Sequence, residues 1–158
     1  MKKKGVLAVV SGFSGAGKGT LMKALLQAHT DQYALSISAT TRLPRAGEEH
    51  GREYFFVSRE EFEGMIREGA LIEHACYVGN YYGTPRDYVS EQMESGKDVI
   101  LEIDIQGALK VKERFPDALL LFVTPPSAAE LENRLRGRGS VSDEVVCSRL
   151  KRAVEESE

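Results

Sequence analysis

Hydrophobic residues fall along this chain in short unbroken runs separated by amphipathic stretches. Val6 to Val10 is a continuous β-branched and aliphatic run. Such a run suits a strand buried on both faces, as in a parallel sheet. Ala34-Leu35-Ser36-Ile37, Val99-Ile100-Leu101-Glu102-Ile103 and Leu119-Leu120-Leu121-Phe122-Val123 repeat the pattern. Between these runs, Thr20 to Leu26 is rich in strong helix formers, and Gln106 to Phe115 also reads as a helix. Ser127 to Leu135 reads as another, introduced by Pro125-Pro126 with Ser127 as its cap. Val145, Val146, Arg149, Leu150 and Val154 trace a last helix. Strand alternating with helix predicts an α/β fold, a parallel β-sheet core flanked by helices with right-handed crossovers.

Residues 39–84 break that rhythm with six glycines and a cluster of Tyr54, Tyr77, Tyr81 and Tyr82. Tyr54-Phe55-Phe56-Val57 and Ala70 to Tyr77 read as short strands around a helix at Arg59 to Arg67. The stretch is expected to be an inserted mixed β subdomain. Gly137-Arg138-Gly139-Ser140 lies between two helices and reads as a short mobile lid at about 136–143. The chain is thus one domain over 1–158, with core segments 1–38 and 85–158 and an insert at 39–84.

At 158 residues the chain can bury roughly two-thirds of its unfolded surface without disulfide staples. Lys plus Arg is 21 against 24 Asp plus Glu, a net charge of −3, so no general affinity for nucleic acid is expected. Cys76 and Cys147 are far apart and outside any CxxC pair, so they read as reduced thiols. No run approaches the length of a membrane helix. Lys2-Lys3-Lys4 before Gly5 to Val10 imitates the start of a signal peptide, but the apolar run breaks at Ser11-Gly12. A cytoplasmic protein with no membrane partner is expected.

The first chemistry in the sequence is Gly12-Phe13-Ser14-Gly15-Ala16-Gly17-Lys18-Gly19-Thr20, which follows a buried strand and opens a helix. That is the phosphate-loop pattern in the context that gives it meaning. Its glycines let successive N–H groups converge on phosphate oxygens, and the helix N-terminus adds partial positive charge. Lys18 is placed to reach the β- and γ-phosphates. Gly19 stands where the general pattern has Ser or Thr for Mg²⁺, leaving Thr20 as the nearest hydroxyl. Arg42 and Arg45 follow the second strand, and their guanidinium forks suit phosphate oxygens. Alone they would read as a solvated basic loop; beside a phosphate loop they suggest a second phosphate-bearing substrate. Asp104 ends an apolar strand at its carboxyl end, the edge that faces the ligand crevice in open α/β sheets.

Six segments, in order, closely resemble the guanylate kinases: GFSGAGKGT at 12–20, SISATTRLPRAGE at 36–48, GREYFFV at 51–57, IEHACYVGNYYGT at 72–84, LEIDIQGA at 101–108 and RLRGRG at 134–139. The resemblance covers essentially the whole chain. It implies a P-loop NTPase fold with a GMP-binding insert, and transfer of the γ-phosphoryl of ATP to GMP with Mg²⁺. It implies ATP contacts from Gly12, Ser14, Gly15, Ala16, Gly17, Lys18, Gly19 and Thr20. Arg134 and Arg138 would reach ATP from the lid, and Arg149 would reach the transferring phosphoryl. Arg42, Arg45, Tyr54 and Tyr82 would hold the GMP phosphate. Ser38, Glu73 and Thr84 would read guanine, with the Ser38 and Thr84 hydroxyls donating to its O6. Glu102 and Asp104 would lie by the acceptor nucleoside, with Thr20 and Asp104 near Mg²⁺, directly or through water. Lys18, Arg42, Arg134, Arg138 and Arg149 are the expected catalytic set, and Tyr81 is expected to be structural.

The residue types make chemical sense of that list. A buried carboxylate can accept from both N1–H and the 2-amine of guanine, whereas adenine leaves it unpaired. The acceptor phosphate is mostly anionic at neutral pH and needs no general base, so His29, His50 and His74 read as structural or surface residues. The reaction is mainly positioning and charge stabilisation. Two competing readings remain at this stage. One is a kinase for another phosphorylated acceptor such as ribose bisphosphate; the other is a non-catalytic guanylate-kinase-like module that binds protein segments. The family also carries one further strand and helix beyond the helix ending here. The chain is therefore expected to be truncated or incompletely represented, with Leu119 to Val123 left as an exposed edge.

Overall fold

A computed structural model describes residues 4–137 and 142–155. A four-stranded parallel sheet forms the core, built from β1 (Leu7–Gly12), β2 (Tyr33–Leu35), β7 (Asp98–Glu102) and β8 (Leu119–Val123) in the order β2-β7-β1-β8. These are the four predicted runs. β1 lies between β7 and β8, with Val9 opposite Leu101 on one side and Leu120 on the other. Val9 is fully buried, which is why the run shows no polar alternation.

Helices cover both faces. Val10 and Ile100 pack on Met22 and Leu25 of α1 (Lys18–Ala28). Leu7, Val9 and Leu101 pack on Ala108 and Val111 of α4 (Ile105–Arg114), with Val89 of α3 (Arg86–Glu94) completing that side. The periodicity does not announce α3, because Val89 is its one buried residue and it starts directly after Pro85 at the end of a strand. α5 (Ala128–Gly137) and α6 (Asp143–Glu155) pack through Leu131, Leu135 and Val146, with Phe13 of the phosphate loop against them. Ser127 Oγ accepts from the Glu130 amide, the cap expected for α5.

A second, mixed sheet has the order β4-β3-β6-β5, made of β3 (Ala39–Thr40), β4 (Phe55–Phe56), β5 (Leu71–Tyr77) and β6 (Asn80–Pro85). It is covered by α2 (Arg59–Arg67), whose N-terminus carries a reciprocal capping box between Ser58 and Glu61. Phe62 of α2 is fully buried among Ala39, Leu71 and Phe55.

β8 is the outer strand of the core sheet among the described residues. Leu119 and Leu121 remain 51% and 47% exposed, and Phe122 is also exposed, matching the expectation of an apolar edge. No described helix is long and apolar enough to cross a membrane.

Candidate active site

β1 delivers the chain into the phosphate loop at Gly12, where φ is 147° and a Cβ would stand 2.2 Å from the Val123 carbonyl oxygen. Only glycine fits a turn pressed this closely on β8. The loop ends at Gly17 (φ 98°), which caps α1 without a side-chain hydrogen bond, so the first-turn amides keep no side-chain partner there. Lys18 donates through Nζ to the carbonyls of Gly12 at 2.6 Å and Phe13 at 3.1 Å. Arg134 of α5 comes back onto the loop, donating through Nη1 to the Ala16 carbonyl at 3.1 Å while Nε pairs with Glu130. A cleft of about 740 Å³ opens here, lined by Ser14, Lys18, Glu102, Asp104 and Arg149. The structure thus brings the loop, Arg134 and Arg149 to one place. Arg138, with most of the predicted lid, lies outside the described residues. Thr20 is exposed and is not among the residues lining the cleft, which weighs against its expected place near a metal.

A second cavity of about 260 Å³ meets the first at the end of β7, sharing Glu102, Asp104 and Tyr77 with it. Ser38, Tyr54, Glu73 and Tyr82 line it, as expected for an acceptor pocket. Glu73 is 8% exposed, and its Oε1 accepts from Thr84 Oγ1 at 2.7 Å. Burial pushes the Glu73 carboxyl above the usual carboxylate range, the Thr84 hydrogen bond pulls it back, and the Asp104 charge pushes it up again. Thr84 itself is fully buried and does not line the pocket. A hydroxyl has one proton, and here it goes to Glu73. The expectation that Thr84 donates to the base is therefore corrected: it orients the carboxylate. α4 approaches from below through Gly107, where a Cβ would sit 3.3 Å from Glu73 Oε2.

Asp104 has a structural task as well. Its Oδ1 accepts from the Gly107 amide at 2.8 Å and caps α4, while Oδ2 lies 3.6 Å from Arg152 of α6. Packing does not explain an acid at that strand end, but capping explains one of its two oxygens. Arg152 also lines the larger cleft, and the sequence analysis does not name it. Its spacing three residues after Arg149 on one helix was the available signal.

Arg42 is held at the far end of the acceptor pocket. Its Nη1 and Nη2 donate to Glu48 at 2.9 and 3.0 Å, and its guanidinium lies over the rings of Tyr54 (5.3 Å) and Phe56 (5.8 Å). Tyr54 and Tyr82 meet edge to face at 6.1 Å. Arg45 is exposed and joins this group through its backbone, whose N–H donates to Glu48 Oε2 at 2.7 Å. Glu48 is the other residue left unread in the sequence; an acid three positions after Arg45 in a glycine-bearing loop carries no distinctive pattern by itself. None of the three histidines lines either cavity, and the His50 ring accepts from the Phe56 amide.

Comparison with known proteins agrees with this geometry. The guanylate kinase family model matches residues 4–158. A guanylate kinase of Caldanaerobacter subterraneus subsp. tengcongensis is 56% identical over 156 residues, covering 99% of this chain and 75% of the relative. One from Halalkalibacterium halodurans is 55% identical over 157 residues, covering 99% and 76%. The crystal structure of guanylate kinase from Anaplasma phagocytophilum superposes with a TM-score of 0.68 at 35% identity, covering 99% of this chain and 72% of that one. The chain thus spans about three quarters of the length of the curated relatives it matches. With identities above one half over nearly every residue, and a phosphate loop meeting a carboxylate-lined acceptor pocket, this chain belongs to the guanylate kinase family.

Proposed function

We propose that this chain transfers the γ-phosphoryl of ATP to GMP, giving ADP and GDP, with the residue roles that follow. The observation that carries the reading is Glu73: a buried carboxylate, oriented by Thr84, at the base of a pocket with Arg42, Tyr54 and Tyr82 at one end and the phosphate-loop cleft at the other. A carboxylate so placed accepts both N1–H and the 2-amine of guanine, while Ser38 supplies a hydroxyl for O6. Adenine would leave Glu73 buried and unpaired, a mismatch of the kind that discriminates by roughly 10⁴-fold.

ATP phosphates lie on the loop from Gly12 to Thr20, with Lys18 moving from its loop carbonyls to the β- and γ-oxygens. Arg134 is already on the loop, and Arg138 and Arg149 add positive charge from the lid side. The GMP phosphate, held by Arg42, Arg45, Tyr54 and Tyr82, attacks in line. Being mostly dianionic near neutral pH, it needs no base. The arginines and Lys18 offset the repulsion between two polyanions, and closure of the cleft excludes water.

The donor set fits a magnesium ion. Glu102 and Asp104 present hard carboxylate oxygens beside Lys18, and Mg²⁺ in kinases is held by one or two carboxylates together with phosphates and water. Asp104 and Glu102 would hold it, directly or through water, since Gly19 has no hydroxyl. When bound, the ion neutralises charge on the β- and γ-phosphates. No assigned residue reads the ribose 2′-hydroxyl, so dGMP is a second acceptor. The free thiols Cys76 and Cys147 are in keeping with a cytoplasmic setting. Residues 39–84 act as the GMP-binding unit, set in a core of 1–38 and 85–158.

The test is ADP production from ATP and Mg²⁺ with GMP, dGMP, AMP, UMP or ribose 1,5-bisphosphate as acceptor. GMP and dGMP are expected to turn over and the others to stay near background. Equal rates with AMP would overturn the role given to Glu73, and turnover of ribose 1,5-bisphosphate in place of GMP would overturn the acceptor.

A further inference from the structure

We propose that Glu48 is a positioning residue for the acceptor phosphate: it grips one end of the Arg42 guanidinium so that the other edge faces the substrate. The inference rests on the acceptor site described above and deepens it.

A guanidinium has five N–H donors in a rigid fork. Three of those of Arg42 are occupied. Nη1 donates to Glu48 Oε2 and to the Leu43 carbonyl, each at 2.9 Å, and Nη2 donates to Glu48 Oε1 at 3.0 Å. The other two, Nε–H and the second N–H of Nη2, run parallel along one side of the group. Two parallel donors match two oxygens of one phosphate. The Tyr82 phenol interacts with the same guanidinium, so a second residue assigned to the acceptor phosphate is already beside it.

The position is fixed from several directions. Tyr54 and Phe56 flank the guanidinium, Glu48 blocks its end, and the two side chains are only 15% and 18% exposed. The same carboxylate also organises the loop of the second arginine. Glu48 Oε2 accepts the Arg45 amide at 2.7 Å, and the Glu48 amide donates to the Arg45 carbonyl at 3.0 Å. Hydrogen bonds from the Arg42 side chain, and then from the Arg45 amide, hold the Glu48 carboxyl below the usual carboxylate range, so it stays ionised near neutral pH.

A carboxylate beside a phosphate site has an opposite interpretation, in which it is a rival anion whose loss would tighten binding. The donor inventory argues against rivalry. Glu48 and an incoming phosphate use different N–H groups, so both can be held at once.

The experiment measures GMP dissociation by calorimetry on the full chain for wild type, Glu48→Gln, Arg42→Ala and the double variant, with ATP affinity measured alongside. Glutamine has the shape of glutamate, but its amide turns a donor toward either Arg42 or the Arg45 amide. Loss of a charge-assisted bidentate grip corresponds to about 10- to 100-fold in affinity. Glu48→Gln is therefore expected to weaken GMP by about that factor, to leave ATP affinity unchanged, and to raise KM for GMP more than it lowers kcat. In the Arg42→Ala background the same change is expected to cost less than about threefold, because its effect runs through Arg42. Should Glu48→Gln fold poorly, Glu48→Asp keeps the charge but draws it back by one methylene, and is expected to weaken GMP by a smaller factor. Unchanged or tighter GMP binding in these variants would overturn the inference, as would an equal loss with and without Arg42. Failure of the wild type to bind GMP would overturn the acceptor-site reading together with it.

Discussion

Glu73 answers two demands that pull against each other. To accept two N–H groups from a base it must be ionised; buried as it is, ionisation costs the folded chain stability. The sign follows from linkage. Its folded-state pKa is raised by burial first and by Asp104 after the opposing Thr84 bond, so its stabilising contribution is complete below the ordinary carboxylate value and is lost as pH rises through the raised one. Glu73→Gln is therefore expected to melt above wild type at pH 8 without ligand, with the difference shrinking as pH falls toward 4.5. GMP binding has the reverse dependence: it strengthens as pH rises through the Glu73 titration, and that component is absent in Glu73→Gln. Parallel melting curves and GMP titrations across pH check both, and the comparison with the variant removes the titration of the GMP phosphate itself. At this scale the sequence was informative wherever a residue type is demanded by its task. Gly12, Lys18, Glu73 and Arg134 could be named from motif and spacing. Glu48, Gly107 and the orienting role of Thr84 could not, because each is defined by a neighbour far along the chain or across a loop.

Secondary structure was legible in proportion to how much of each element is buried in a regular pattern. α2 was predicted at its observed limits, because a capping box opens it and Phe62, Met65 and Ile66 mark one face. β3 and β4 have two residues each, and β6 contains Gly83 and ends at Pro85, so no periodicity can accumulate over them. They become strands because neighbours supply the hydrogen bonds. α2 nonetheless supports the acceptor pocket. Phe62 is fully buried and stacks on Tyr81 of β6 with centroids 5.2 Å apart and planes 12° from parallel. Phe62→Ala is expected to destabilise the chain by about 3–5 kcal/mol, the usual cost of emptying an aromatic core site, as measured by denaturant unfolding. It should weaken GMP more than ATP, since the cavity opens beneath the sheet that carries Glu73 and Tyr82 and not beneath the phosphate loop.

Across the whole molecule, function follows from where crossovers leave the sheet. β1 and β7 are adjacent and parallel, but α1 packs on one face and α4 on the other. The crevice between their carboxyl ends is the kind of place where open α/β sheets bind ligands. There the phosphate loop meets Glu102 and Asp104. The second sheet stands over the same crevice and brings Glu73 and Tyr77 to it. The other global feature is the outer edge of β8, with Leu119, Leu121 and Phe122 exposed. An apolar, unpaired edge invites association with other chains. Leu121→Lys is expected to lower self-association of this chain, read as a smaller concentration-dependent rise in light scattering, with GMP affinity unchanged because β8 lines neither cavity. Equal scattering from both proteins would show that this edge is not the adhesive surface.

Taken by itself, the sequence determined the parallel α/β core, the phosphate loop and the identity of most groups that touch substrate. Those depend on local rules: a strand buried on both faces must be apolar throughout, a loop hugging phosphate must be glycine-rich, and a discriminating carboxylate must be an acid. Only the tertiary structure decided the strand order β2-β7-β1-β8, the meeting of two cavities at the end of β7, and the partners that aim the key side chains. Thr84 reaches Glu73 across a hairpin, Arg134 reaches Ala16 across 118 positions, and Glu48 closes on Arg42 around a loop. Such contacts have no period and no motif. They exist because packing brings distant segments together, and the orientation of a catalytic group is set by whatever lies beside it in space.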